Sequence, residues 1–317
     1  MYKNKKIVLV IPAYNEEKLL AKTCSEIPDF IDNIVIIDDG STDNTNRIMQ
    51  EIAEKDERVI ALTHLKNKGN GAARATGFKW CVEHDPDIVV TIDADGQMDC
   101  QDIPALIDPI IEGKTDFAKG NRLITGEAWK IIPRIRYLGN SALTLMTKIA
   151  SGYWHVTDSQ CGFTAARIEI YRTIALDKIY PDYGVFNDLL VTMNIFNFRV
   201  MDVPVKPVYG VGEKSGMRIG KVLFIMPLLM LRLFLRRMVQ KYIIRDFHPL
   251  IFFYTFGTLL MLVDIPLIIR LFYFWGTTGL IPKINALAIM FCTFMGMQSI
   301  LFAMLFDMEA NKELKGH

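Results

Sequence analysis

The sequence predicts an α/β domain built on a mostly parallel sheet, followed by an interfacial amphipathic helix and a two-helix transmembrane hairpin. Three observations predict it. Up to about residue 208, short β-branched runs alternate with helical stretches, the pattern of parallel strands covered by helices. Polar loops follow the first, second and fourth of those runs. Beyond residue 209 the composition turns strongly apolar, in a 317-residue chain that is 51% hydrophobic overall.

Taken in order, strands are predicted at 7–11, 34–37, 59–62, 88–92, 117–119, 162–166 and 199–203, with helices at 16–26, 43–54, 71–83 and 103–111. Ser41-Thr42-Asp43 opens the second helix as a cap, and Pro104 stands near the start of the fourth. The N-terminus MYKNKKIVLVIP carries lysines, but its apolar run ends at Pro12 and leads into Asn15-Glu16-Glu17, so it reads as a strand and not as a signal peptide. Residues 219–244 mix Leu, Ile, Phe and Met with Lys221, Arg232, Arg236, Arg237 and Lys241, the composition of a helix at a membrane interface whose cations meet anionic head groups. Two apolar stretches follow, at about 249–270 and 284–306, each long enough to cross a hydrocarbon layer that needs ~20 helical residues. Asp264 is the only ionisable residue within 249–269, where it stands near the head groups or faces the other helix. Basic residues crowd before the first span, while Arg270 and Lys283 alone flank the connection, which places the N-terminal domain and the C-terminal tail in the cytoplasm. The predicted division is 1–212 for the α/β domain, 213–246 for a flexible loop and the amphipathic helix, and 247–317 for the hairpin and a short tail. A net charge of +1 gives no signal for a nucleic-acid partner. Five cysteines without a C-x-x-C pair and five histidines without ligand spacing support neither a disulfide framework nor a zinc site.

The strongest local chemistry is Asp93-Ala94-Asp95-Gly96-Gln97, directly after the apolar run IVVTI. A hard divalent cation held through one or two carboxylates, water and a substrate diphosphate needs converging acidic and amide oxygens, and alternate residues at a strand end supply them. A solvated acidic turn has the same composition, so this loop alone leaves both open. Asp38-Asp39-Gly40-Ser41 follows the run IVII and offers a carboxylate to base or ribose donors, or a helix cap through Ser41 or Asp43. Gly69-Asn70-Gly71 fails as a dinucleotide fingerprint, because Arg74 stands where the third glycine belongs and the motif follows the third strand. In SGYWHVTDSQ, Tyr153 and Trp154 read as packing groups.

Five segments appear together in register: IPAYNEE, IIDDGSTDNT, NKGNGAARATGF, TIDADGQMD and DSQCGFTAAR. Over roughly the first two thirds of the chain they resemble the inverting glycosyltransferases of family 2, with the GT-A fold, and among these the dolichyl-phosphate mannose synthases and related polyprenyl-phosphate glycosyltransferases. The resemblance implies a nucleotide diphosphate-sugar donor (GDP-mannose or UDP-hexose), a polyprenyl (dolichyl or undecaprenyl) phosphate acceptor, and Mg2+ or Mn2+. It places Pro12, Tyr14 and Glu16 in the nucleotide pocket, Ile37, Asp38 and Asp39 at base and ribose, and Asp93, Ala94 and Asp95 at the diphosphate, with Asp95 and Gln97 holding the metal. Arg122 matches the arginine that bridges donor and acceptor phosphates, which makes Asp93, Asp95 and Arg122 the catalytic candidates. Arg136 and Asn140, with Arg134 as the alternative to Arg136, fall where the acceptor phosphate binds, and Lys214 and Arg218 match a cationic loop over the diphosphate. Asp158 corresponds to an aspartate at the mouth of the site, positioning sugar or acceptor; Phe186-Asn187-Asp188 is the nearest match to the E-D pair whose aspartate is the general base of hydroxyl-directed members, and the loss of that pair weakens a hydroxyl acceptor while leaving Asp188 a candidate for the place. The sequence lacks the Q-x-x-R-W string of processive synthases, which disfavours polymerisation. Two other functions stay open: transfer to a lipid hydroxyl, and a non-catalytic nucleotide-sugar-binding membrane scaffold.

Overall fold

The heptapeptide IVLVIPA forms strand β1 (Ile7–Ala13), and every residue in it is buried, as a strand covered on both faces requires. The computed structural model describes residues 1–124, 134–206, 208 and 219–317, and their side chains except those of 134–138, 140 and 219–224. After β1 come α1 (Leu20–Ser25), β2 (Asn33–Asp38), α2 (Thr45–Ala53), β3 (Val59–Thr63), α3 (Asn70–His84), β4 (Ile88–Thr91), α4 (Ile103–Ile111) and β5 (Phe117–Asn121). The domain continues with α5 (Arg134–Ser151), β6 (Thr164–Arg167), α6 (Ile168–Thr173), α7 (Val185–Ile195) and β7 (Val200–Pro204). The sheet order is β3-β2-β1-β4-β6-β5-β7, parallel except where β6 runs against both β4 and β5.

Side chains alternate across this sheet into two cores. Leu9, Ile36 and Val90 meet Leu20 and the α4 residues Ile103, Leu106 and Ile107 on one face. Val8, Val10, Val35 and Ile37 meet Ala73, Phe78, Leu189 and Leu190 on the other. Gly77 sets how closely α3 approaches the second face, since a Cβ there would stand 2.5 Å from Val10 Cγ1 and 2.9 Å from Ile37 Cδ1.

The first helix starts later than its sequence pattern predicts, because residues 15–17 give their backbone N–H groups to a neighbouring loop. Asn15 N donates to Ser41 Oγ at 2.9 Å, Glu16 N to Thr45 Oγ1 at 2.8 Å and Glu17 N to Asp43 Oδ2 at 3.3 Å. Ser41 therefore ties the first loop to the second, while Asp43 also accepts from Thr45 N at 2.9 Å at the start of α2.

The chain divides into two compact units: Met1–Phe234 with Glu313–His317, and Leu235–Lys312. In the first unit, the middle turns of α8 (Ile219–Val239) bury Met226, Leu229, Met230 and Leu233 against Ala150, Val191 and Ile195. The final residues rejoin this unit: Leu314 enters the second core, Lys315 bridges Val200 in parallel, and Gly316 N donates to Val200 O at 3.0 Å. The second unit holds a π-helical turn, Gln240–Arg245, and the helices α9 (Leu250–Thr278) and α10 (Lys283–Ala310). Both long helices are apolar enough to cross a membrane, each with a mean hydropathy of 1.9. Gly257 and Gly296 let their backbones approach, for a Cβ on Gly257 would lie 2.8 Å from Gly296 O. Asp264 faces the other helix, accepting from Thr293 Oγ1 at 2.7 Å, and Asn285 Nδ2 donates to Leu267 O at 2.8 Å. Phe252, Phe256, Phe291 and Phe294 are exposed.

The structure corrects the assignment of two juxtamembrane cations, Arg237 and Lys241, to head groups; the side chain of Lys221 lies outside the described residues. Arg232 is exposed, but Arg237 is fully buried in a two-pronged pair with the equally buried Asp307, at 2.7 and 2.9 Å. Lys241 is buried too, donating to Asn311 Oδ1 at 2.8 Å, and Tyr242 Oη donates to Asp307 at 2.7 Å. A 3.6-residue repeat shows that cations share a helix face, and only the distant partners at 307 and 311 decide that the face is covered. Removing one member of such a pair strands a buried charge. Asp307→Leu is expected to destabilise the protein by about 3 kcal/mol or more, and Arg237→Met with Asp307→Leu to regain most of that loss. Thermal melts of the detergent-solubilised variants measure both.

Candidate functional site

Loops leaving the carboxyl ends of β1, β2, β4 and β5 converge on a cleft of about 500 Å³, where an open α/β sheet presents its binding groups. Pro12, Tyr14, Glu16, Asp39, Asp93, Ala94, Asp95, Gln97 and Arg122 line it together. The first turn of α3 adds Asn70 and Ala73, the loop before β6 adds Gln160 and Gly162, and the start of α7 adds Val185 and Phe186.

Other residues assigned to the site stand elsewhere. Ile37 is a fully buried core residue. Asp38 turns away from the cleft and closes its own loop, accepting from Ser41 N at 3.0 Å and Asn46 Nδ2 at 2.9 Å, because successive side chains at a strand end point opposite ways. Asp188 is buried outside the cleft lining and accepts from Tyr180 N at 2.7 Å, which shapes the approach to α7. It lies two residues beyond the cleft-facing Phe186, and two residues carry a helix about 200° around its axis. Asp188, expected as the general base, therefore stands outside the cleft lining. Lys214 and Arg218, and the side chains of Arg134, Arg136 and Asn140, lie outside the described residues. Asn67, Asn70, Gln160, Tyr183 and Lys206 line the cleft without having been singled out. The first three sit inside or beside the NKGNG and DSQCGF segments, whereas Tyr183 and Lys206 carried no sequence signal.

Backbone donors and buried partners hold the polar side chains in place. Asp39 Oδ1 accepts from Lys68 N at 3.0 Å and stands 2.6 Å from His64 Nδ1, while Oδ2 accepts from Gly69 N at 2.8 Å. Gly69 has φ +98, a conformation that favours glycine. Asp95 Oδ1 accepts from Gln97 N at 3.0 Å, which fixes the bend of the acidic loop. Burial pushes the Glu16 carboxyl up to about 7, helped by repulsion from Asp95, Asp93 and Asp43.

Arg122 is aimed by Asp158: Nε and Nη2 reach the carboxylate at 2.8 and 3.1 Å, and Arg122 N also donates to it at 3.2 Å. Asp158 is 1% exposed, so it lies beneath Arg122 and not at the mouth of the site where sugar or acceptor would meet it. Tyr153 and His155 are packing groups, hydrogen-bonded to the carbonyls of Phe198 and Val200.

Among the described residues, no three His, Cys, Asp or Glu side chains converge as a closed metal cage. The residues fit a half-site of the kind Mg2+ and Mn2+ use, where one or two carboxylates are completed by water and substrate phosphates. Glu16, Asp93 and Asp95 bring three carboxyl groups into one cleft lining.

Burial raises the Asp158 carboxyl, but the Arg122 hydrogen bonds and charge, with Lys119, outweigh that and hold it below the ordinary value. A depressed folded value stabilises above the unfolded one and is lost as pH falls through the folded one. Asp158→Asn is therefore expected to cost about 2 kcal/mol at neutral pH, a deficit that narrows below about pH 4. Melting curves of both proteins at pH 7 and pH 3.5 test the size and the sign.

Comparison with known proteins agrees with this architecture. Residues 8–175 match the family model described as Glycosyl transferase family 2. The chain is 35% identical over 219 residues to a UDP-N-acetylglucosamine–dolichyl-phosphate N-acetylglucosaminyltransferase of Methanococcus voltae, covering 65% of this chain and 87% of the relative. It is 28% identical over 222 residues to an undecaprenyl-phosphate mannosyltransferase of Micrococcus luteus, covering 68% and 90%. Among solved structures, glucosyl-3-phosphoglycerate synthase from Mycobacterium tuberculosis, in complex with Mn2+, UDP and glucosyl-3-phosphoglycerate, superposes with a TM-score of 0.54 at 21% identity. That superposition covers 74% of this chain and 80% of the synthase, and it shows a shared fold. With the family model spanning more than half of its length, the chain belongs to glycosyl transferase family 2.

Proposed function

We propose that the protein transfers a sugar, with inversion, from a nucleotide diphosphate-sugar to the phosphate of a polyprenyl lipid at a membrane surface. The observation that carries this reading is the single cleft that gathers Asp39, the Asp93 to Gln97 loop and the clamped Arg122. The relatives named for dolichyl- and undecaprenyl-phosphate support the acceptor class. Asp39 keeps acceptor capacity on Oδ2 for an N–H or O–H of the nucleoside, and Tyr14, 44% exposed at the rim, offers a ring face to it.

In the transfer, an oxygen of the lipid phosphate forms a bond to the anomeric carbon while the bond from that carbon to the β-phosphate oxygen breaks. The electron pair leaves with the nucleoside diphosphate, and attack from the opposite face inverts the centre. Arg122, pre-aimed by Asp158, meets negative charge as it grows on the leaving group without having to reorganise. Asp95 and Gln97 would hold Mg2+ or Mn2+, which supplies further charge neutralisation to the diphosphate when bound. A phosphate with a second pKa near ~6 is largely ionised at neutral pH and attacks without a strong base. The position of Asp188 outside the cleft lining therefore favours a lipid phosphate over a lipid hydroxyl as acceptor. The two apolar helices would anchor the site beside a substrate confined to the same bilayer, with the catalytic domain on the cytoplasmic side.

Membranes carrying the protein, incubated with a panel of radiolabelled nucleotide-sugars and with phosphorylated or hydroxylated polyprenyl lipids, should label only the phosphorylated lipid and need Mg2+ or Mn2+. Asp95→Ala should abolish labelling, and full turnover in chelator removes the metal assignment. Arg136→Ala is expected to raise the apparent KM for polyprenyl phosphate while calorimetric donor binding is kept; the reverse pattern moves Arg136 to the diphosphate side.

A further inference from the structure

Arg74 has no part in the reaction described so far, yet it connects the cleft lining behind its surface. It is 1% exposed, and its Nε donates to Asn70 Oδ1 at 2.6 Å. Nη2 pairs with Asp93 Oδ1, and the guanidinium lies 4.6 Å from the centre of the Phe186 ring. Gly162 makes room for this pair, since a Cβ there would stand 2.4 Å from Asp93 Oδ2 and 3.0 Å from Arg74 Nη2. Asn70, Asp93, Gly162 and Phe186 all line the cleft, and they come from four different segments of the chain. Nη1 is buried and makes no hydrogen bond to another protein group.

Position along the sheet separates Asp93 and Gly162 of this cluster from the nucleoside end, which Asn70 adjoins through the Gly69 N–H on Asp39. Asp39 follows β2, whereas Asp93 follows β4 and Gly162 precedes β6, in the order β2-β1-β4-β6. Two strand spacings, about 10 Å, lie between the β2 and β4 ends. A nucleoside at Asp39 with its diphosphate over the Asp95 loop leaves the sugar on the Arg74 side.

We propose that Arg74 is a positioning residue for the donor sugar: it holds Asp93, Asn70 and Phe186 as one rigid wall against which the transferred hexose is oriented. The proposal rests on the transfer reading above. The guanidinium carries the charge of Asp93, so that carboxylate keeps one geometry as a hydrogen-bond acceptor and need not swing toward the neighbouring Asp95. Lysine retains the charge but not the planar fork that reaches Asn70 and Asp93 at once, nor the flat face that stacks on Phe186.

The test uses full-length protein in nanodiscs, with two measurements on each variant: calorimetric binding of UDP and of GDP in the presence of Mn2+, and transfer kinetics with the donor found by the panel. In Arg74→Met, nucleoside diphosphate affinity is expected to stay within about 3-fold of wild type. Its kcat should fall by about 100-fold, the cost of a small misplacement of reacting groups. Arg74→Lys should recover only part of that loss, and Arg74→Met with Asp93→Asn should be no slower than the worse single variant, since the two act as a unit. A kcat within about 3-fold of wild type in Arg74→Met overturns the proposal, as does a nucleoside diphosphate affinity that falls in step with turnover. Gly162→Ala keeps both charges and crowds their contact, so it decides the question if Arg74→Met does not fold: lost kcat with retained binding supports the role, and unchanged kcat overturns it. Wild-type protein that binds neither nucleotide and turns over no donor sinks the transfer reading, and with it the sugar this wall would orient.

Discussion

Strands covered on both faces must pair every backbone N–H and C=O within the sheet, and that constraint governs the rest of the catalytic unit. Burial of β1, β2 and β4 along nearly their whole lengths leaves no place for polar side chains except where the strands stop. The first free positions are the carboxyl ends, and there Pro12, Asp39 and Asp93 begin the cleft. The loops then support one another. Ser41, Asp43 and Thr45 accept the backbone N–H groups of residues 15–17, so the segment carrying Tyr14 and Glu16 is fastened to the segment carrying Asp39.

Buried charge is used in the same manner three times, each time with its partner supplied from far along the chain. Asp158 holds Arg122 across 36 residues, Arg74 holds Asp93 across 19, and Arg237 holds Asp307 across 70. A buried pair contributes little net stability beside a well-packed apolar pair, because both ions lose their water. What it contributes is orientation: the two-pronged Arg122–Asp158 and Arg237–Asp307 contacts each admit one geometry, and Arg74 divides its fork between Asp93 and Asn70. In the cleft that orientation holds the Arg122 guanidinium and the Asp93 carboxylate in the lining. At the Arg237–Asp307 pair it joins the end of α8 to the end of α10, both within the second unit.

The two long helices of the second unit are apolar enough for a different solvent, the hydrocarbon of a membrane. Apolar side chains gain nothing by leaving a hydrocarbon layer, so small residues and a few polar contacts must hold two such helices together. Gly257, Gly296, Asp264 with Thr293, and Asn285 supply these, and all point at the opposing helix. The last five residues then return to the first unit, where Lys315 and Gly316 run beside β7.

Period and composition alone determined the alternation of strands and helices up to residue 111, the ends of α4, the two apolar helices and the loops that carry Asp39, Asp93 and Asp95, whereas Arg122 was marked only by the family resemblance. These are local properties: a side chain's tendency to be buried repeats every two or every 3.6 residues, and a polar run after an apolar one marks where burial stops. Tertiary structure alone decided which neighbour in a pair faces the cleft. Asp39 enters it and Asp38 does not, and Phe186 enters it and Asp188 does not. It also decided that β6 runs antiparallel, that Ser41 serves the loop before it, and that Arg74, Arg237 and Lys241 are buried. In the sequence these three are cations on helices, indistinguishable from solvated ones. Their burial depends on partners from 19 to 70 residues away, and no local pattern encodes a contact whose other half is that distant.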